Sequence, residues 1–242
     1  MTQNTCWQIN ILTLFPEAFL ALNHSICKRA MEKEILKLNT INIRDFATDN
    51  YKTVDDAPYG GGAGQVIKAD VLGRAIESVY NKKNPKGSII YLSPRGKVFN
   101  QKIAEELAQE NETTFICGHY EGIDERVIEY YNIQELSIGD FVLSGGEYAL
   151  IPIIDAISRL LPNVLGSSES LKEESFSSAL SGLLEYPHYT RPEIWNNLEV
   201  PEILKSGHHK NIEIWRQKKS LEITKKNRPD LLKNIEFEKT IK

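Results

Sequence analysis

Glycine, rather than a nucleophile or a set of metal ligands, marks the stretches of this chain that could do chemistry. Gly118-His119-Tyr120-Glu121-Gly122 and the run from Gly139 to Gly146 are each entered from an apolar, β-prone segment, and glycine lets a backbone approach a ligand closely. A third turn, Ser93-Pro94-Arg95-Gly96, ends the apolar run from Ser88 to Leu92. One such turn means little, because strand-to-helix turns often use glycine for steric reasons. Three of them point to a single pocket built largely of backbone, with a small molecule in it. A fourth stretch, Thr53 to Gly64, contains Asp55, Asp56, Pro58, Tyr59, Gly60, Gly61 and Gly62 and is too rich in glycine to be regular. No Gly-Lys-Ser/Thr follows it and it does not fit G-x-G-x-x-G. It reads either as a flexible loop or as one whose amides touch a large partner. Cys6, Cys27 and Cys117 lack CxxC or Cys/His spacing, which points to neither a disulfide framework nor a zinc site and suits a reducing cytosol.

The elements that must hold these turns alternate in type. Gln8 to Phe15 is β-prone as far as Pro16, and Pro-Glu suits a first helical turn; Phe19, Leu20, Ile26, Ala30 and Met31 then recur at helical spacing. Leu38 to Phe46 alternates as a strand. Asp70 is placed to cap a helix running to Tyr80, and Asn100 to cap one through Ala108. Thr113 to Cys117 and Ile133 to Ile138 read as strands, with helices from about Asp124 to Tyr131 and from Ser144-Gly145-Gly146 toward Leu161. This alternation predicts an α/β fold with a mainly parallel sheet, in which ligands sit at the carboxyl ends of strands.

With 242 residues, 41% apolar and 26% charged, the composition is that of a globular protein large enough to bury a good core. No stretch is long and apolar enough for a membrane span, and no basic-then-apolar leader opens the chain, so the expected protein is soluble and cytoplasmic. The net charge of −4 conceals an asymmetry. Residues 201–242 hold 11 Lys and Arg against 6 Asp and Glu, leaving 18 against 27 for the rest, as expected for a basic module on an acidic body. The Ser-rich stretch after Leu161 reads as a linker. The domain expectation is therefore residues 1–163 as the α/β domain, 164–176 as the linker and 177–242 as a small helical domain, with Trp195 and Trp215 in its core.

Taken together, Leu14-Phe15-Pro16-Glu17, Thr53-Val54-Asp55-Asp56 with Pro58-Tyr59-Gly60-Gly61-Gly62, Ile90-Tyr91-Leu92-Ser93-Pro94, Tyr120-Glu121-Gly122-Ile123-Asp124-Glu125-Arg126, Ser137-Ile138-Gly139-Asp140 with Leu143-Ser144-Gly145-Gly146-Glu147, Ser158-Arg159 and Pro187-His188-Tyr189-Thr190-Arg191-Pro192 resemble the bacterial tRNA (guanine-N1)-methyltransferases. These are knotted methyltransferases that modify guanosine 37 beside the anticodon. The resemblance spans nearly the whole chain, in order. It implies a deep trefoil knot in the first domain, an obligate homodimer with active sites at the subunit interface, and S-adenosylmethionine as methyl donor. The implied donor neighbours are Tyr91, Leu92, Ser93, Pro94, Gly118, Tyr120, Glu121, Ile138, Gly139, Asp140, Phe141, Val142, Leu143, Gly145 and Gly146. Some members of the family are thought to use Mg2+, for which Glu121 is a candidate ligand, and His119 stands where the family's pattern has an arginine.

Guanine N1 carries a proton, so its attack on a methyl group needs a base, and the charge that grows on O6 needs a cation. By spacing alone, Asp155 and Arg159 are an i,i+4 pair on a helix whose apolar face is Ile153, Ile154, Ile157, Leu160 and Leu161. The resemblance instead makes Arg159 catalytic. The base falls on Glu174, within Glu173-Glu174-Ser175-Phe176 where the family has Glu-Asp-Ser-Phe, one methylene longer than expected. For tRNA, the candidates are Asp55, Tyr59, Gly60 and Gly61 in the loop and Arg191, His209, Lys210, Arg216 and Lys218 in the basic module, the latter for phosphate contact. No DNA partner and no resident metal are expected. A related knotted enzyme acting on another RNA, or a non-catalytic RNA-binding module, are the alternatives.

Overall fold

The computed structural model describes residues 6–82, 86–165 and 173–232, and the chain forms two compact units, 1–166 and 167–242. The first is built on five parallel strands: β1 (Trp7–Thr13), β2 (Leu36–Asn42), β5 (Ser88–Val98), β6 (Glu112–Cys117) and β7 (Gln134–Ser137), in the order β2-β1-β6-β5-β7. A short hairpin, β3 (Asp55–Asp56) with β4 (Val66–Ile67), brackets the glycine-rich loop.

Both faces of the sheet are buried, and side chains alternate between them with the period of two that a strand imposes. Ile9 and Ile11 of β1, Ile90 and Leu92 of β5 and Phe115 and Cys117 of β6 pack on one side. There they meet α1 (Ser25–Glu32), α3 (Gln101–Leu107) and α5 (Gly146–Ser158). Leu12, Ile89, Tyr91 and Ile116 face α2 (Ala69–Glu77) and α4 (Glu125–Tyr131) on the other. Double burial is why β1, β5 and β6 read as unbroken apolar runs; β2, at the sheet edge, is largely half-buried or exposed, and the strand expected over Leu38 to Phe46 stops at Asn42, where a 3₁₀ segment, Ile43–Phe46, begins.

Local chemistry sets the helix starts. Asn100 caps α3 by accepting from the Ile103 N–H at 3.1 Å, and the Asp124 side chain accepts from the Arg126 N–H at 3.0 Å ahead of α4. Asp70 does not cap α2. Lys68 holds that position, and Asp70 lies in the first turn, where its carboxylate pairs with Arg74 one turn on at 3.0 Å. The helical spacing after Pro16 covers a 3₁₀ segment, Pro16–Leu22, and then α1, with Leu20 exposed. Strand β5 does not stop at Leu92. It pairs with β7 up to Leu92↔Leu136 and resumes at Lys97↔Leu136, so residues 93–96 bulge out of a strand that continues.

In the second unit the main element is α7 (His209–Asn227), preceded by the one-turn α6 (Glu202–Lys205) and by a two-residue hairpin, β8 (Ile194–Trp195) with β9 (Leu198–Glu199). Ser220 and Thr224 of α7 are buried and clamp the incoming chain: Ser220 Oγ donates to the Leu184 carbonyl at 2.5 Å, and the Leu184 N–H donates to Thr224 Oγ1 at 3.0 Å. Tyr186, 4% exposed, bonds its hydroxyl to Glu173, and the Arg216 guanidinium lies over its ring at 4.6 Å. Trp195 is not in this core. It is 64% exposed beside the hairpin tip, while Trp215 is half-buried with its ring 6.3 Å from that of Tyr189. Asn196 and Asn197, both in left-handed backbone conformation (φ 49° and 63°), turn the hairpin tightly. Val164 is buried in the first unit's core and Glu173 bonds within the second unit; residues 166–172 lie outside the described residues.

Candidate functional site

Because β5 lies between β6 and β7, its bulge at residues 93–96 and the two turns that leave the carboxyl ends of β6 and β7 are neighbours. They enclose a cleft of about 330 Å³ lined by Tyr91, Leu92, Ser93, Pro94, Gly118, Tyr120, Glu121, Ile138, Phe141, Val142, Leu143, Gly145 and Gly146. Gly139 and Asp140 belong to the same third turn but do not line the cleft; Arg95, His119, Ser137, Ser144 and Ala149 do.

Glycine is required here for close approach. A Cβ on Gly118 would lie 2.7 Å from Cε2 of Tyr91, whose ring covers it, and one on Gly146 would lie 2.8 Å from the Cα of Cys117. The start of α5 is thus seated directly on the end of β6, fastened by the Gly146 N–H donating to the Gly118 carbonyl at 3.0 Å. Tyr120 adopts a left-handed φ of 59° in the second turn, a conformation that costs a non-glycine residue energy and is held by its surroundings. The lining mixes apolar side chains such as Leu92, Ile138, Leu143 and Ala149 with glycine backbone and polar side chains, which suits a small ligand that has both an apolar ring and hydrogen-bonding groups.

The glycine-rich loop is tied to the same place. The Glu121 N–H donates to the Gln65 carbonyl at 2.9 Å, the Ile67 N–H to the Gly122 carbonyl at 2.9 Å and the Asp124 N–H to the Ile67 carbonyl at 3.1 Å. Gly64, at φ 85°, passes so near Glu121 that a Cβ there would meet its Oε1 at 2.4 Å. The loop itself stays open: Tyr59 is fully exposed, no atom lies within 4 Å of a Cβ built on Gly60 or Gly61, and Asp55 is half-buried in β3. A second groove runs from Asp56–Tyr59 past Lys68 to Arg126 and Tyr130 and meets the cleft at Ile123 and Glu125.

Arg159 is half-buried at the C-cap of α5 in the first unit. Glu174 is half-buried in the second, where its carbonyl accepts from the Ser177 N–H at 3.1 Å. Arg191, His209, Lys210 and Lys218 are exposed, with His209 and Lys210 in the first turn of α7. Arg216 differs, being partly buried between Tyr186 and Glu173.

Burial pushes the Tyr91 phenol up, and burial together with the nearby Glu147 carboxylate pushes the Cys117 thiol well up. Cys117 is therefore a packed thiol and not a nucleophile. Glu147 itself, 2% exposed, accepts from the Thr13 hydroxyl at 2.5 Å and is bonded by His119 Nε2 at 2.7 Å. The role of this carboxylate was not foreseen from the sequence. An acid just after Gly145-Gly146 reads as a first-turn residue favoured by the helix dipole, and nothing near it announces its two partners. Among the described residues, no group of three or more His, Cys, Asp and Glu side chains converges on a metal site, and no helix is long and apolar enough to cross a membrane.

Residues 7–234 match the family described as tRNA (Guanine-1)-methyltransferase TrmD. The chain is similar to the tRNA (guanine-N(1)-)-methyltransferase of Clostridium botulinum (strain Hall), 58% identical over 230 residues that cover 95% of this chain and 93% of the relative. It is similar also to the enzymes of the same name from Clostridium tetani, 55% identical with 96% and 95% covered, and from Clostridium novyi, 56% identical with 96% and 94% covered.

Proposed function

The chain belongs to the tRNA (guanine-1)-methyltransferase family, and we propose on that premise how its own residues divide the work. The activity is methylation of guanine N1 in tRNA, with guanosine 37 as the family's target, S-adenosylmethionine as its donor and a deep trefoil knot as part of its fold. When bound, the donor supplies an electrophilic methyl group on a sulfonium, so the chain needs to supply no redox group.

The single observation that carries the assignment of the donor site is the convergence of three turns on one cleft whose glycines leave no room for a Cβ. Tyr91 to Pro94, Gly118, Tyr120 and Ile138 to Gly146 hold the adenosyl part, Gly139 and Asp140 by shaping the third turn and the others by contact. Glu121, exposed at the rim beside Gly64, takes the donor's amino group. The Mg2+ expectation has the same Glu121 as its carboxylate, but among the described residues it belongs to no group of three or more His, Cys, Asp and Glu side chains that could hold an ion, so no step is routed through the ion.

Glu174 accepts the N1 proton as the lone pair is released, a contribution of about 10²–10⁴ in rate for a positioned base. Arg159 faces the negative charge that grows on O6. The exposed loop at Tyr59, Gly60 and Gly61, with Asp55 at its base, receives the nucleotides around the target, which must leave their stack to reach a recessed methyl group. Arg191, His209, Lys210 and Lys218 contact phosphates; Arg216, engaged with Tyr186 and Glu173, shapes that surface from beneath. A second copy of the chain completes the site, a reading supported by consecutive exposed apolar residues, Phe141 at 52% and Val142 at 83%, on the cleft's third turn. The cytoplasm, where tRNA is modified, is the compartment. Neither a different RNA nor a non-catalytic module is favoured by any observation.

The test is incubation of the protein with labelled S-adenosylmethionine and unmodified tRNA transcripts that carry or lack guanosine at position 37. Label should pass to the first transcript alone. Transfer to neither, or equally to both, overturns the reading.

A further inference from the structure

A polar cluster lies beneath the donor cleft, made of three residues far apart in the chain. Glu147, in the first turn of α5, accepts the Thr13 hydroxyl of β1 on Oε1 and is bonded on Oε2 by Nε2 of His119, which follows β6. The Thr13 oxygen in turn accepts the Phe15 N–H at 2.9 Å, and the Phe15 ring rests 4.8 Å from the imidazole. A carboxylate takes both of its bonds as acceptor, so the hydrogen between His119 and Glu147 sits on Nε2. The His119 side chain is 17% exposed and lines the cleft; that of Glu147, 3% exposed, lies below it.

We propose that His119 and Glu147 form the side-chain tie that sets the spacing of two walls of the donor cleft. His119 belongs to the Gly118–Gly122 wall and Glu147 is rooted in the wall that ends at Gly145-Gly146. Among the described residues, this bond and the backbone bond between Gly146 and Gly118 join them, and Gly145 is packed against the former. A Cβ on Gly145 would lie 2.4 Å from His119 Nε2 and 2.6 Å from Glu147 Oε2. His119 is on this account a positioning residue: it holds the walls at the separation an adenosyl group needs and takes no proton from the guanine. The inference rests on the donor site proposed above. It also gives a reason for an imidazole at this position, since its rigid ring reaches Glu147 while packing against Phe15 at an interplanar angle of 57°.

The experiment measures binding of S-adenosylhomocysteine, which cannot react, by titration calorimetry on the full chain, alongside steady-state kinetics. His119→Ala removes the donor hydrogen and the ring; His119→Gln keeps an N–H at about the distance of Nε2. Loss of one charge-assisted bond at a buried carboxylate predicts about tenfold weaker binding for His119→Ala. KM for the donor should rise in parallel, by more than kcat falls, while KM for tRNA is little affected. His119→Gln should recover most of the affinity. If His119→Ala fails to fold, His119→Asn, whose amide is too short to reach Glu147, takes its place. Unchanged affinity in the alanine or asparagine variant overturns the proposal, as does a fall confined to kcat or a glutamine variant as weak as alanine. Failure of the unaltered protein to bind S-adenosylhomocysteine would instead overturn the donor site itself.

Discussion

Replacing Gly146 by alanine probes whether the close seat of α5 on β6 shapes the cleft. The added Cβ would lie 2.8 Å from Cys117 Cα and 3.1 Å from the Gly118 nitrogen, against about 3.5–4.0 Å for a relaxed contact between carbons. Both neighbours are backbone at the end of a central strand, so neither can swing aside, and the start of α5 must lift by roughly 1 Å. Overpacking of this kind costs about 1–3 kcal/mol. Alanine recovers at most about 1 kcal/mol of helix propensity over glycine, and less at the first helical residue. The steric cost wins, with a net loss of about 1–2 kcal/mol, which lowers the thermal midpoint of a unit this size by about 2–8 °C. The lift also displaces Gly145 and Gly146 at the cleft wall, and about 1.4 kcal/mol carried into binding is about tenfold in affinity. Scanning fluorimetry and calorimetric titration with S-adenosylhomocysteine read the two effects. Gly182→Ala is the control, because Gly182 has φ 74° but nothing within 4 Å of its added Cβ. It should lose about 1 kcal/mol to backbone strain and leave donor affinity alone. A Gly146→Ala protein as stable as the parent, with unchanged affinity, would refute close packing as the reason for this glycine.

Glu174→Gln should slow single-turnover methylation by about 10²–10⁴ while tRNA still binds, and a near-parent rate in rapid quench would remove Glu174 as the base. Arg159→Ala should cost about 10²–10³ in the same assay, the scale of one lost transition-state charge contact. Trp195→Ala should change stability by no more than about 0.5 kcal/mol, as befits a residue exposed on a hairpin, whereas Trp7→Ala, at 1% exposure, should cost about 3–5 kcal/mol; denaturant melts separate them. Burial, with the bond to Glu173, pushes the Tyr186 phenol from its ordinary 10 up to about 12. The folded state therefore favours the neutral phenol, and the stability it contributes is complete below about pH 10 and lost as pH rises through about 12. Melts across that window should fall more steeply for the parent than for Tyr186→Phe; parallel curves would show that Tyr186 is not the group responsible.

How much of this was legible in the sequence follows from the range of each signal. Strands β1, β5 and β6 were readable because burial on both faces writes continuous apolar runs, and the turns after β6 and β7 stood out because only glycine tolerates the approach distances at Gly118 and Gly146. That the turns share one pocket was read from their number and kind; the strand order that brings them together was not readable, since nothing local says that β5 pairs with both β6 and β7. Residues 93–96 were misread for a related reason: apolar character stops where the strand bulges, and its resumption at Lys97 and Val98 depends on pairing with Leu136 and Ser137. Trp195 was misplaced for the opposite reason. A local signal was available, since Asn-Asn between two β-prone pairs demands a tight hairpin, but residue type was given more weight than turn chemistry. Glu147 shows the limit most clearly. Its burial depends on Thr13, 134 residues away in sequence, and on His119, 28 away, so a residue that sequence presents as a helix-start acid becomes, through strand order alone, the anchor between two walls of a site.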